Sequence, residues 1–102
     1  MGARFDIRFG GATGEIGGKR SAAFGEMRIE CGDVAADANA VSEVGRAVSV
    51  ATIKEIVTAP GFDAAAAAKD PKPLAAEASK RITEALRDRG WTAEITSLHF
   101  KA

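Results

Sequence analysis

The chain has 102 residues, of which 46% are hydrophobic and 27% are charged, as is typical of one small globular domain. Fourteen Lys and Arg residues balance fourteen Asp and Glu residues, which argues against a dedicated binder of nucleic acid or anionic membrane. Cys31 is the only cysteine, so a scaffold built on internal disulfides is excluded.

The chain contains no stretch that resembles a signal peptide or a membrane span. Its first residues lack an apolar run, and no segment approaches the roughly 20 apolar residues that a spanning helix needs. We therefore expect no membrane insertion, and either a cytoplasmic location or a place in a particle or larger assembly.

The first predicted element is a strand over residues 4–9. Phe5, Ile7 and Phe9 alternate with charged residues, which predicts one buried and one solvated face, as in an antiparallel sheet. A glycine-rich loop is expected next, over residues 10–18. Lys19 and Arg20 at its end are candidates for contact with a partner.

The glycine-rich segment resembles a phosphate-binding loop only in part. The motif requires glycine where Thr13 stands, and Ser or Thr where Arg20 follows Lys19. The following residues also alternate like a strand, so no helix N-terminus is available to hold a phosphate. The segment therefore predicts a hairpin connection and no cofactor.

Residues 21–31 predict a second strand, with Met27, Ile29 and Cys31 on its apolar face. Phe24 is out of phase with Met27, and Gly25 between them is the expected site of a bulge. Cys31 is interpreted as a small core residue.

A long helix is predicted next, beginning near Asp37 or Asn39 and ending before Pro60. Its β-branched residues also alternate as in a strand, but some twenty residues without a turn signal favour a helix. Residues 60–73 form an Ala/Pro-rich connection, containing either a short helix capped by Asp63 or a spacer. Phe62 is expected to reach the core.

The best-specified segment runs from Lys72 to the last residue. It predicts an amphipathic helix with a Glu77–Arg81 ion pair, ended by Gly90 in a Schellman motif. In that motif Trp91 covers Leu86 at the end of the helix. The single Trp is therefore interpreted as a packing residue.

The final strand shows a break in its apolar alternation. Ile95 has one parity, whereas Leu98 and Phe100 have the other. Either a bulge near residues 96–97 restores one apolar face, or the strand is covered on both faces, the second by a neighbouring subunit. Leu98, His99 and Phe100 are therefore further candidates for contact with a partner.

Together these elements predict one α+β domain over residues 1–102. It has a small antiparallel or mixed sheet of about three strands and two main helices on one face, in the order ββααβ. Residues 27–100 resemble the FliL-family flagellar domain and, more distantly, the SPFH (stomatin) domain. The likeness lies in the stretch VGRAVSVATIKEIV and in the closing helix and strand that end at Phe100. The resemblance implies ring-forming homo-oligomers and no catalytic residues.

No catalytic, cofactor-binding or metal-binding constellation is evident, because one Cys and one His make no ligand cluster. The sequence therefore predicts a non-catalytic structural or interaction module, with a protein partner or a homo-oligomer. One alternative is a small enzyme or ligand-binding domain that uses Cys31 and His99. Another is a weak nucleic-acid binder, whose cations would be Arg4, Arg8, Lys19, Arg20 and Arg28.

Overall fold

The structure, a computed structural model, describes residues 2–32 and 37–101. Its strands are β1 (Ala3–Ile16), β2 (Lys19–Cys31) and β3 (Trp91–Lys101), and its helices are α1 (Ala38–Val57), α2 (Ala64–Lys69) and α3 (Lys72–Ala85). The strands form an antiparallel sheet in the order β1-β2-β3. Helix α1 packs mainly on β1 and α3 on β3, so the predicted α+β fold is confirmed.

The core lies between the sheet and the two long helices. Its largest fully buried side chains come from both layers: Met27, Ile29, Val41, Ile53, Ile82 and Leu86. Burial of each such side chain stabilises the fold by about 1.5–3 kcal/mol. Gly45 sets the distance between α1 and the sheet, because a Cβ there would lie 2.8 Å from Cδ1 of Ile29.

The glycine-rich segment is not a loop, which corrects the sequence prediction for residues 10–18. Strand β1 continues to Ile16, and only Gly17 and Gly18 form the turn. Their φ angles are 58° and 81°, the left-handed conformation that a two-residue hairpin turn requires at both positions. The residues before the turn are strand because β2 pairs with them, with one register shift between Ala12 and Gly14.

The predicted helix starts are confirmed by side-chain caps. The Asp37 side chain accepts a hydrogen bond from the Asn39 amide at the start of α1. The Asp63 carboxylate accepts one from the Ala66 amide at 3.0 Å, so the alanine run is a short helix. Phe62 before it is half-buried and meets Phe100 edge to face, with 5.9 Å between the ring centroids.

Helix α3 ends at Ala85, before the predicted stop at Gly90, and a 3-10 turn over Arg87–Arg89 follows it. Gly90 ends this turn with the predicted Schellman geometry. Gly90 has φ 73°, its amide donates to the Arg87 carbonyl at 2.9 Å, and the Trp91 amide donates to the Leu86 carbonyl at 3.3 Å. Trp91 is half-buried against the core, with the Arg89 guanidinium 5.5 Å from its ring centroid. The Glu77–Arg81 pair also forms, at 2.9 Å.

The last strand contains a bulge, which confirms the first of the two alternatives drawn from its sequence. Ile95 lies opposite Met27 but Ser97 lies opposite Glu26, which leaves Thr96 as the extra residue. Leu98 and Phe100 thereby return to the helix-covered face.

The prediction of a bulge at Gly25 is wrong, because β1–β2 pairing continues unbroken from Ala3 to Ala12, opposite Cys31 to Ala22. Gly25 instead lies beneath the bulge of β3. A Cβ at Gly25 would overlap the carbonyl oxygen of Ser97. The glycine therefore permits the close approach of the two strands.

Candidate protein-binding surface

The outer edge of β3 is partly closed by side chains of α3. The Thr83 hydroxyl donates to the Ala93 carbonyl at 2.9 Å and accepts from the Ala93 amide at 3.0 Å. The Ser79 hydroxyl accepts from the Ile95 amide at 2.8 Å and donates to the Ala75 carbonyl at 2.7 Å. A further strand cannot pair with these groups without breaking bonds already made.

The edge of β1 is closed at one point in the same way. The Arg46 guanidinium of α1 donates to the Arg8 carbonyl at 3.1 Å. Both long helices therefore contribute polar side chains to the strand that each covers. Strand addition is disfavoured at these positions, so the uncovered face of the sheet is the main candidate surface.

The open face is the side of the sheet that lies away from the helices. We define it by the outward-facing residues of the three strands, which form six rows across the sheet. The rows, read from the hairpin end, are Glu15–Arg20, Ala12–Ala22–Lys101, Gly10–Phe24–His99, Arg8–Glu26–Ser97, Asp6–Arg28–Glu94 and Arg4–Glu30–Thr92.

Phe24 is the central apolar feature of the open face. Its side chain is 46% exposed, and it is the only large hydrophobic residue so exposed in the part of the chain that the structure describes. Its ring lies beside Gly10, where a Cβ would come within 2.5 Å of Cδ1 of Phe24. The ring thus leans from the middle strand towards β1, over the backbone that glycine leaves bare.

The two rows furthest from the hairpin contain exposed ion pairs. Arg4 and Glu30 are 3.4 Å apart, and so are Arg28 and Asp6. Exposed pairs of this kind contribute about 0–1 kcal/mol to stability, so they shape the charge of the surface more than they hold the fold. They also neutralise two of the arginines proposed for nucleic-acid contact.

The predicted contact residues fall into two groups. Lys19, Arg20 and His99 are exposed, and His99 lies next to Phe24 on the open face. Leu98 and Phe100 are only 7% and 5% exposed. The prediction that they contact a partner is therefore corrected, since both are core residues. The bulge explains the correction, since it turns both side chains towards the helices.

Cys31 and His99 do not form a catalytic pair. Cys31 lies opposite Trp91, whereas His99 lies opposite Phe24, seven residues from Cys31 along β2, which corresponds to about 23 Å at about 3.3 Å per residue. Cys31 is buried whereas His99 is exposed. No group of three or more His, Cys, Asp or Glu residues is placed to hold a metal ion within residues 2–32 and 37–101.

Among the helices of the described chain, none is both long and apolar enough to cross a membrane. Comparison with known proteins finds no protein family, no curated protein and no solved structure that matches the chain. The open face therefore has to be interpreted from its own chemistry.

Proposed function

We propose that the chain is a non-catalytic interaction module, which binds a protein partner through the open face of its sheet. One observation carries the proposal: Phe24 is exposed in the middle strand of a sheet face that no described element covers. Burial of an aromatic side chain at the centre of an interface is the usual source of binding free energy between proteins.

The surroundings of Phe24 have the layout of a protein interface. Gly10, Ala12 and Ala22 lie in the rows at and next to Phe24, and they offer a shallow floor of small residues. On the other side of Phe24 the rows are charged, beginning with Arg8 and Glu26. An apolar patch bordered by charged residues is an arrangement that specific interfaces share.

The resemblance of residues 27–100 to FliL-family and SPFH domains stays a prediction, and the proposal rests on the open face alone. The enzyme alternative loses its support, since Cys31 and His99 lie far apart on different sides of the sheet.

Site-specific photo-crosslinking tests the proposal in cells that make the protein. The photoreactive residue benzoylphenylalanine replaces Phe24 in one variant. In the control it replaces Ala51, which is exposed on the outer side of α1. We expect light-dependent protein adducts from position 24 and none from position 51. The proposal is wrong if position 24 gives no adduct, or no more than position 51 gives.

A further inference from the structure

We infer that the open face binds a second copy of this chain, sheet against sheet, about a two-fold axis perpendicular to the strands. This inference rests on the proposed function and names its partner. Three observations on the open face carry it: the distribution of charge along the strands, the position of Phe24, and the area of the sheet.

The open face divides into two halves of opposite charge. The three rows nearest the hairpin carry two cations, Arg20 and Lys101, and one carboxylate, Glu15. The other three rows carry three arginines and four carboxylates. The halves therefore have formal charges of opposite sign and the whole face has none, which is what a self-complementary surface requires.

A two-fold axis perpendicular to the strands places the hairpin half of one copy on the far half of the other. With the axis at the centre of the six rows, Lys101 lies opposite Glu94 of the second copy. Arg20 likewise lies opposite Glu30, and Glu15 lies opposite Arg4. Each contact occurs twice by symmetry, so six pairs of opposite charge form towards the ends of the interface.

The other face-to-face arrangement, with its axis parallel to the strands, is disfavoured by the same charges. It would place β1 on β3 of the second copy with the rows in register. Arg28 would then meet its own symmetry mate, Glu30 would meet its own mate, and Asp6 would meet Glu94. Such like-charge contacts oppose association, so the perpendicular axis is selected.

The centre of the perpendicular arrangement brings Arg8 onto the ring of Phe24. Arg8 lies opposite Gly10 of the second copy, and the Phe24 ring of that copy leans over this glycine. A guanidinium over an aromatic face is attractive, and more so when both are shielded from water. Two such contacts flank the axis, where buried groups contribute most.

The area of the face suits a reversible dimer. Three strands about 4.8 Å apart, with thirteen residue pairs between β1 and β2 and ten between β2 and β3, give a projected face of about 500 Å² per copy at a rise of about 3.3 Å per residue. With side-chain relief included, two copies would bury on the order of 1,200 Å², at the lower end of specific interfaces. Interfaces of this size are typical of weak and transient complexes.

Analytical ultracentrifugation from about 1 μM to 1 mM at low salt measures the association. Phe24→Glu should raise the Kd at least about thirtyfold, because it removes the central aromatic and adds like charge. The matched control Ala51→Glu adds the same charge to the helix layer and should leave the Kd within about twofold. Far-ultraviolet circular dichroism of each variant verifies the fold.

A charge swap tests the orientation. Lys101→Glu or Glu94→Lys alone sets two like-charge pairs at the interface and should raise the Kd about tenfold. The double variant restores opposite charges between copies and should return the Kd to within about threefold of the parent. Loss without recovery in the double variant would overturn the proposed axis.

A chain that stays monomeric at 1 mM overturns the inference. Photo-crosslinks from position 24 then decide the proposed function separately: adducts with a different protein leave it standing, and their absence removes it. Salt-dependent binding of a single-stranded oligonucleotide by a monomer that loses it on Phe24→Glu would assign the face to nucleic acid instead.

Discussion

The hydroxyl of Thr83 on α3 bonds both the amide and the carbonyl of Ala93 on the edge of β3, at 3.0 and 2.9 Å. One side chain thus occupies the hydrogen-bonding groups that a neighbouring strand would use. The contact joins α3 to β3 and protects the sheet from edge-to-edge pairing.

Replacement of Thr83 by Val keeps the shape of the side chain and removes both hydrogen bonds. We expect the free energy of unfolding to fall by about 1–3 kcal/mol, because two partly buried backbone groups lose their partner. Urea denaturation measures the loss. Thr92→Val, on the exposed face of the same strand, is the control and should change stability by less than about 0.5 kcal/mol. Equal losses in the two variants would show that the Thr83 hydrogen bonds contribute nothing to the free energy of unfolding.

Gly25 and Gly10 provide a matched pair, since alanine at either position meets an atom already in place. At Gly25 that atom is the backbone carbonyl of Ser97, which cannot move without shifting the bulge of β3. We expect Gly25→Ala to lower stability by about 2–3 kcal/mol. At Gly10 the atom belongs to the exposed ring of Phe24, which can rotate, so Gly10→Ala should stay within about 1 kcal/mol of the parent. Thermal unfolding of both variants tests this order, and a reversed order would contradict it.

One substitution in the hairpin turn is expected to raise stability and another to lower it. Both turn residues have positive φ, and Asn is favoured at the first position of such a turn. Gly17→Asn should therefore raise stability by about 0.5 kcal/mol by restricting the unfolded chain. Gly18→Val should lower it by about 1–2 kcal/mol, because a β-branched side chain is strained at φ 81°. Chemical denaturation of both variants provides the measurement, and an Asn variant less stable than the parent would refute the turn geometry.

Helix boundaries followed from the sequence because their causes are local. Asp37 and Asp63 cap helices within three residues of themselves. After α3, the amides of Gly90 and Trp91 donate to the Arg87 and Leu86 carbonyls and end the 3-10 turn. The residues that determine these features lie next to them in the chain. The ion pair between Glu77 and Arg81 is local in the same way.

The alternation in β1 and at the end of β2 predicted the buried faces correctly, with Ile7, Met27 and Ile29 in the core. The faces of residues near a break in alternation did not follow, because they depend on register between distant strands. Phe24 appeared out of phase in its own segment, and only pairing with Gly10 and His99 shows it to be the centre of the open face. Leu98 and Phe100 appeared available to a partner until the bulge opposite Glu26 turned them inward. The signal in the sequence is that Phe24 has the same parity as the charged residues of its strand.

The hairpin also contains a buried polar pair whose coupling can be measured. The hydroxyls of Thr13 and Ser21 lie 2.9 Å apart, and the Ser21 hydroxyl donates to the Gly14 carbonyl at 3.0 Å. Because the Ser21 hydroxyl donates its only proton to Gly14, the Thr13 hydroxyl is the donor in the bond to Ser21. Ser21→Ala therefore leaves a buried donor unpaired and should lower stability by about 2 kcal/mol, whereas Thr13→Val should cost about 1 kcal/mol.

The double variant removes both hydroxyls and leaves no buried side-chain donor without a partner. Its loss should be smaller than the sum of the single losses by about 1 kcal/mol, measured as the coupling energy of a double-mutant cycle in urea. Ser42→Ala, at a half-buried position of α1 away from the pair, supplies an additive control with either single variant. Additivity of Thr13→Val and Ser21→Ala within about 0.3 kcal/mol would mean that the two hydroxyls do not interact. Since Thr13 stands at the register shift of β1, a measured coupling would also identify what fixes the register of the hairpin near its turn.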